Sequence, residues 1–157
     1  MSVQFSPESK KKIEEYLSRY PNKRAALIPV LMIAQEELGA LTNEVQILVA
    51  ETLGLPPVDV KEVVTFYGMF HETPRGKKHI KVCTTLSCAL KGAHEILDYL
   101  RERFGVEINE VTPDGKYSYE PCECLGSCGT APVVMHEKGY TENLTKKKLD
   151  ELLEEGR

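Results

Sequence analysis

A chain of 157 residues, 41% of them hydrophobic, carries enough apolar material for one ordinary domain or two small ones, so a folded globular protein is expected. The formal charge of −4 comes from 7 Lys and Arg against 10 Asp and Glu in residues 1–74, and 13 against 14 in the rest. Neither part offers the clustered cations with which proteins meet nucleic acid, and the KKK runs at Lys10–Lys12 and Lys146–Lys148 sit in helical patterns among acidic neighbours.

The opening "SVQFSPESKKK" lacks the apolar core of a signal peptide, and no apolar run approaches the roughly 20 residues of a membrane span. A cytoplasmic protein without direct membrane insertion is expected. In that compartment thiols stay reduced, so grouped cysteines point to metal or redox chemistry before structural disulfides.

Residues 1–70 read as helices throughout. Ser6 as cap and Pro7 at the first helical position start one whose stripe is Ile13, Tyr16, Leu17 and Tyr20, and Pro21 ends it. A second is predicted from Lys23 to Leu38, stopped by Gly39 and kinked by Pro29; its apolar residues wrap most of the circumference, as in the central helix of a bundle. Thr42 and Gly54 bracket a third, and the pair Pro56–Pro57 starts a fourth whose end is aromatic, with Phe66, Tyr67, Met69 and Phe70.

At "ETPRGKKH" the texture changes, which makes this stretch the predicted linker. Beyond it "HIKVCT" reads as a strand, "ALKGAHEILDYLRERFG" as one amphipathic helix, "VEINEVT" as an edge strand and "KYSYEPC" as a further strand. "APVVMHE", a hairpin through Lys138–Gly139 and the helix "LTKKKLDELLEEG" follow. The prediction is an α+β chain: an N-terminal helical bundle over residues 1–74, then a small thioredoxin-like α/β domain over 75–157.

Five cysteines lie in the second part. Cys83 ends a strand, with Cys88 at the mouth of the next helix; Cys122, Cys124 and Cys128 lie at the end of a later strand and in its exit loop. The spacing is C-x4-C, 35 residues, then C-x3-C. A [2Fe–2S] cluster takes four thiolates, two on each iron, and two strand-exit loops can close over one. Zinc knuckles usually hold their cysteines closer, as C-x2-C, and zinc, or unligated or disulfide cysteines, are the lesser alternatives. Thr84, Thr85, Ser87, Gly126, Ser127 and Gly129 can offer hydroxyls and N–H groups to sulfur, against a plain reading as turn residues.

The runs "VVTFYGMF", "VCTTLSCALKGAHEIL" and "VTPDGKYSYEPCECLGSCGTAPVV" resemble the thioredoxin-like [2Fe–2S] subunit of the NADH-dehydrogenase module of bacterial respiratory complex I. Similar subunits occur in NAD-linked hydrogenases and formate dehydrogenases. The resemblance covers nearly the whole chain. It implies a [2Fe–2S] cluster on Cys83, Cys88, Cys124 and Cys128, and a flavoprotein partner that carries the NADH site, FMN and a [4Fe–4S] cluster. It further implies a place in a larger respiratory or hydrogenase complex, peripheral to the inner membrane. The position of Cys122 is usually not cysteine in that family, so its role is not inherited; a small buried or half-buried thiol beside the cluster is expected, over a ligand or disulfide partner.

His71, His79, His94 and His136 are scattered and read as surface or core residues. No nucleophile constellation or G-x-G-x-x-G loop is present, so nicotinamide binding by this chain is not expected and any catalysis belongs to the assembly. Two other classes compete. "TNEVQILVAETLGLPPVDVKEVVTF" has a helix-turn-helix cadence, but Asp59 and Glu62 in its second helix suit DNA poorly. A thiol–disulfide enzyme would use C-x2-C at a helix start, where this gap is four.

Overall fold

The structure, a computed structural model, describes residues 3–137 and 139–154. It divides into two compact units, Met1–Pro74 and Arg75–Arg157. Each has a separate apolar core.

The first unit is all helical. Helix α1 (Pro7–Arg19) starts as its sequence dictates, with the Ser6 hydroxyl accepting from the Ser9 N–H. The Ser6 N–H donates to Glu37 Oε1 at 2.8 Å, tying the start of α1 to the end of α2 (Leu27–Leu38). The long helix predicted from Lys23 is two elements, because Lys23–Ala26 form a 3₁₀ turn capped by Asn22. Pro29 thereby falls in the first turn of α2, where no N–H is needed, and the predicted kink is a helix boundary.

Helices α3 (Asn43–Leu53) and α4 (Pro57–Phe66) keep their predicted caps at Thr42 and Pro56. Val30, Leu31, Leu41, Val49, Leu53 and Val60 are wholly buried between the helices. Helix α4 ends at Phe66, so Tyr67, Met69 and Phe70 belong to the turn after it. The Gln35 amide holds that turn: it donates to the Met69 carbonyl at 3.0 Å and accepts the His71 N–H at 2.9 Å. Phe66 is 77% exposed, beside exposed Met69 and Tyr67.

The second unit is a mixed four-stranded sheet in the order β2-β1-β3-β4, with β1 (Lys78–Cys83), β2 (Tyr117–Cys122), β3 (Val134–His136) and β4 (Gly139–Thr141). Strands β1 and β2 run parallel, with Lys81 opposite Glu120 and Cys83 opposite Cys122. Strand β3 runs antiparallel to both β1 and β4. Lys138, in the predicted hairpin turn, and residues 155–157, at the end of the closing helix, lie outside the described residues.

Ile80, Val82, Tyr119 and Val134 are buried in one core with Leu100, Leu149 and Leu153 from α6 (Ala93–Phe104) and α7 (Lys146–Glu154). A Cβ on Gly76 would lie 2.4 Å from the Tyr117 carbonyl carbon, so the chain can enter β1 this close to β2 only as glycine.

Two predictions fail here. The single helix expected over "ALKGAHEILDYLRERFG" is broken into α5 (Leu86–Leu90) and α6, because the Lys91 and Gly92 amides turn back to the Cys88 and Ala89 carbonyls. The edge strand expected at "VEINEVT" is one isolated bridge, Val111 to Ser118. Asn109 there adopts φ +68°, which no strand accommodates.

Candidate metal centre

Because β1 and β2 are parallel, both end at the same edge of the sheet, and their exit loops leave side by side. Cys83 is the last residue of β1 and Cys88 lies in the short α5 that follows; both are 1% exposed. Cys124 lies in the loop after β2, and Cys128 opens the 3₁₀ turn Cys128–Thr130; both are exposed. The loops are laced together, with the Thr84 N–H donating to the Cys122 carbonyl at 3.1 Å.

The sulfurs form two neighbouring pairs. Cys124 Sγ and Cys128 Sγ are 3.7 Å apart, and the Cys83 and Cys88 thiols contact each other. Thr85 joins the pairs: its Oγ1 lies 3.1 Å from Cys83 Sγ, and its hydroxyl also reaches the Cys124 thiol. The Gly126 N–H donates to Cys124 Sγ at 3.4 Å. All five cysteines are free thiols.

The environment divides each pair. Burial pushes the Cys83 thiol up, but the Thr85 hydroxyl and the Leu125 and Thr85 amides outweigh it and hold it below the ordinary thiol range. Burial and the neighbouring Cys83 push Cys88 up. In the outer pair the Gly126 N–H, Thr85 and Cys128 bring Cys124 down, while Cys124 drives Cys128 up. A second thiolate in either pair is costly until a cation sits between the sulfurs.

Among the described residues no three His, Cys, Asp or Glu side chains converge as around one metal ion. A binuclear iron–sulfur cluster takes two thiolates on each iron. Two adjoining thiol pairs, hydroxyls and N–H groups aimed at sulfur, and one pair at the surface fit the binuclear group.

Cys122, at the end of β2 opposite Cys83, is half-buried. Its thiol, pushed up by burial and by the nearby Cys83, reaches about 11. The residues that hydrogen-bond the Cys128 loop were not legible beforehand: Glu142 accepts from the Ser127 and Thr130 hydroxyls, the latter at 2.9 Å. Leu125, whose amide serves Cys83, also escaped notice, because a backbone donor leaves no mark in composition.

A mixed sheet that brings two thiol pairs to the ends of two parallel strands is an arrangement able to hold an iron–sulfur cluster of ferredoxin type. The thioredoxin-like [2Fe-2S] ferredoxin family matches residues 13–157, and the chain belongs to that family. Relatives include NADH-quinone oxidoreductase subunit 2 of Thermus thermophilus, 43% identical over 144 residues that span 90% of this chain and 80% of that one. A second NADH-quinone oxidoreductase subunit, from Rhizobium meliloti, is 42% identical over 145 residues, 92% of this chain and 86% of that one. Among solved structures, an NAD+-reducing [NiFe]-hydrogenase in the air-oxidized state shares the fold, with a TM-score of 0.67 at 19% identity over 82% of this chain and 22% of that one.

Proposed function

We propose that this chain is the electron-transfer subunit of an NADH-quinone oxidoreductase, with one [2Fe–2S] cluster held by Cys83, Cys88, Cys124 and Cys128. The observation that carries the reading is the meeting of two thiol pairs, from loops 35 residues apart in sequence, at one edge of the sheet. When bound, such a cluster takes up and releases one electron.

Within this chain each residue type has a task. Buried Cys83 and Cys88 anchor the site and exclude water, while exposed Cys124 and Cys128 form the side through which an electron can pass to a partner. Thr85 and the amides of Gly126 and Leu125 steady negative sulfur, a lever on reduction potential. Leu86 and Leu90 of α5 are 76% and 78% exposed beside the site and offer a partner an apolar rim.

The partner in this reading is the FMN-containing, NADH-oxidising flavoprotein; the names of the relatives, subunits of NADH-quinone oxidoreductases, support a place in such a complex. The same role in an NAD-linked hydrogenase is the alternative. The proposed compartment is the cytoplasm, on the face of a membrane complex. The grouping of five cysteines in a chain with no signal-peptide pattern supports it.

NADH added to the isolated protein is expected to leave its visible spectrum unchanged, while NADH with catalytic flavoprotein bleaches it. Bleaching by NADH alone would refute this division of labour.

The helical unit, residues 1–74, is proposed as a docking element, since Phe66 with Met69 and Met32 leaves an apolar surface at its end. Phe66→Asp is expected to weaken flavoprotein binding at least tenfold, roughly the range of a central interface aromatic, with unchanged iron content. Undiminished binding in a titration would place docking elsewhere.

A further inference from the structure

The sheet has two faces. Ile80, Val82 and Tyr119 point into the core, and strand alternation puts His79, Lys81 and Cys83 with Ser118, Glu120 and Cys122 on the other face. That second face carries a charge network of low exposure. Arg75 donates to both Glu120 oxygens at 2.9 Å, and Lys81 Nζ lies 3.1 Å from Glu120 Oε1. The four side chains of Arg75, His79, Lys81 and Glu120 are each only 14–19% exposed.

His79 is the neutral member. The Gly76 N–H donates to Ser118 Oγ at 2.8 Å, so the Ser118 hydroxyl is free to donate to His79 Nδ1, 2.7 Å away. The ring proton then rests on Nε2, 3.3 Å from Glu120 Oε1. Arg75 and Lys81 together bring two positive charges to the single carboxylate of Glu120.

This charge lies on the two strands whose ends carry Cys83 and Cys122. Lys81 is two residues before Cys83 on the same face, a rise of about 6.6 Å, and opposite Glu120, which stands two residues before Cys122. Cys122 lies within electrostatic reach of Lys81 and Glu120 on one side and of Cys83 and Cys88 on the other.

We propose that the Arg75–Glu120–Lys81 network is an electrostatic bias under the cluster site, in which Lys81 favours the reduced state and Glu120 moderates and positions it. Reduction adds one negative charge to an already anionic site, and a fixed cation in a poorly hydrated place stabilises that charge more than it would in water. The inference rests on the cluster reading above.

Potentiometry of the intact chain, with iron and sulfide counted in each variant, tests it. Lys81→Met is expected to lower the midpoint, changing the oxidised-to-reduced ratio at fixed potential about tenfold, or 59 mV for a one-electron couple. Glu120→Gln is expected to raise it, and Lys81→Arg to leave it near wild type. Arg75→Met, further from the thiols, lowers it by less and supplies the sign if Lys81→Met does not retain its iron. A purely structural role would cost iron in the variants without moving the midpoint of the cluster that remains. Shifts of the same sign in Lys81→Met and Glu120→Gln, or oxidised-to-reduced ratios at fixed potential within twofold of wild type, would overturn the bias. Wild-type protein without iron and sulfide would overturn the cluster reading itself, and the bias with it.

Discussion

Cys124→Ala, like Ala at Cys83, Cys88 or Cys128, is expected to lose the visible spectrum and most of the iron, while Cys122→Ala keeps two irons and its colour. Thiolate, not thiol, binds iron. Cys83 and Cys124 are supplied with N–H and hydroxyl partners that favour the charged form, and each has its pair-mate in contact. Cys122 is held the other way: burial keeps it protonated, up to about 11, at the end of a strand rather than in the loop. The variant removes only a small half-buried side chain. Iron and sulfide assays on the five purified Ala variants check this, and an iron-free Cys122→Ala beside a fully loaded Cys124→Ala would reverse the assignment.

Glu120→Gln is expected to cost about 3 kcal/mol of folding stability at neutral pH, a cost that vanishes in acid. Burial opposes ionisation of Glu120, yet His79, Arg75 and Lys81 outweigh it and bring the carboxyl from 4.5 to about 2. A displacement of that size corresponds to roughly 3 kcal/mol. The folded-state value lies below the unfolded one, so the contribution is complete above about pH 4.5 and is lost as pH falls toward 2. Urea midpoints of wild type and variant, followed by circular dichroism, should differ at pH 7 and converge between those limits. A gap that stays constant down to pH 3 would show that the carboxylate's charge is not what stabilises the fold.

The elements most legible in the sequence were those with local causes. Ser6 and Pro7 start α1 by capping, and the apolar stripe through Ile13 needs only helical spacing. Strand β1 announced itself through β-branched Ile80 and Val82, and the two cysteine groups fell on exit loops because each follows a strand. What could not be seen depends on partners distant in the chain. The break before α6 follows from amides returning to the Cys88 and Ala89 carbonyls, and the failed strand near Asn109 from a left-handed residue that composition does not mark. The Lys81–Glu120 pair exists only through the parallel register, so its charges read as ordinary surface residues until β1 and β2 are laid side by side.

That same register sets an order of events during synthesis. The first thiol pair leaves the ribosome well before the second, and either pair alone offers half the donors a binuclear centre needs. The pairs meet only after β2 has found β1 across the whole of α5 and α6, a non-local step that local folding cannot replace. In the proposed cluster reading, iron arriving early finds no complete site, and insertion of the inorganic core into this chain is expected after folding, as a late stage of its maturation.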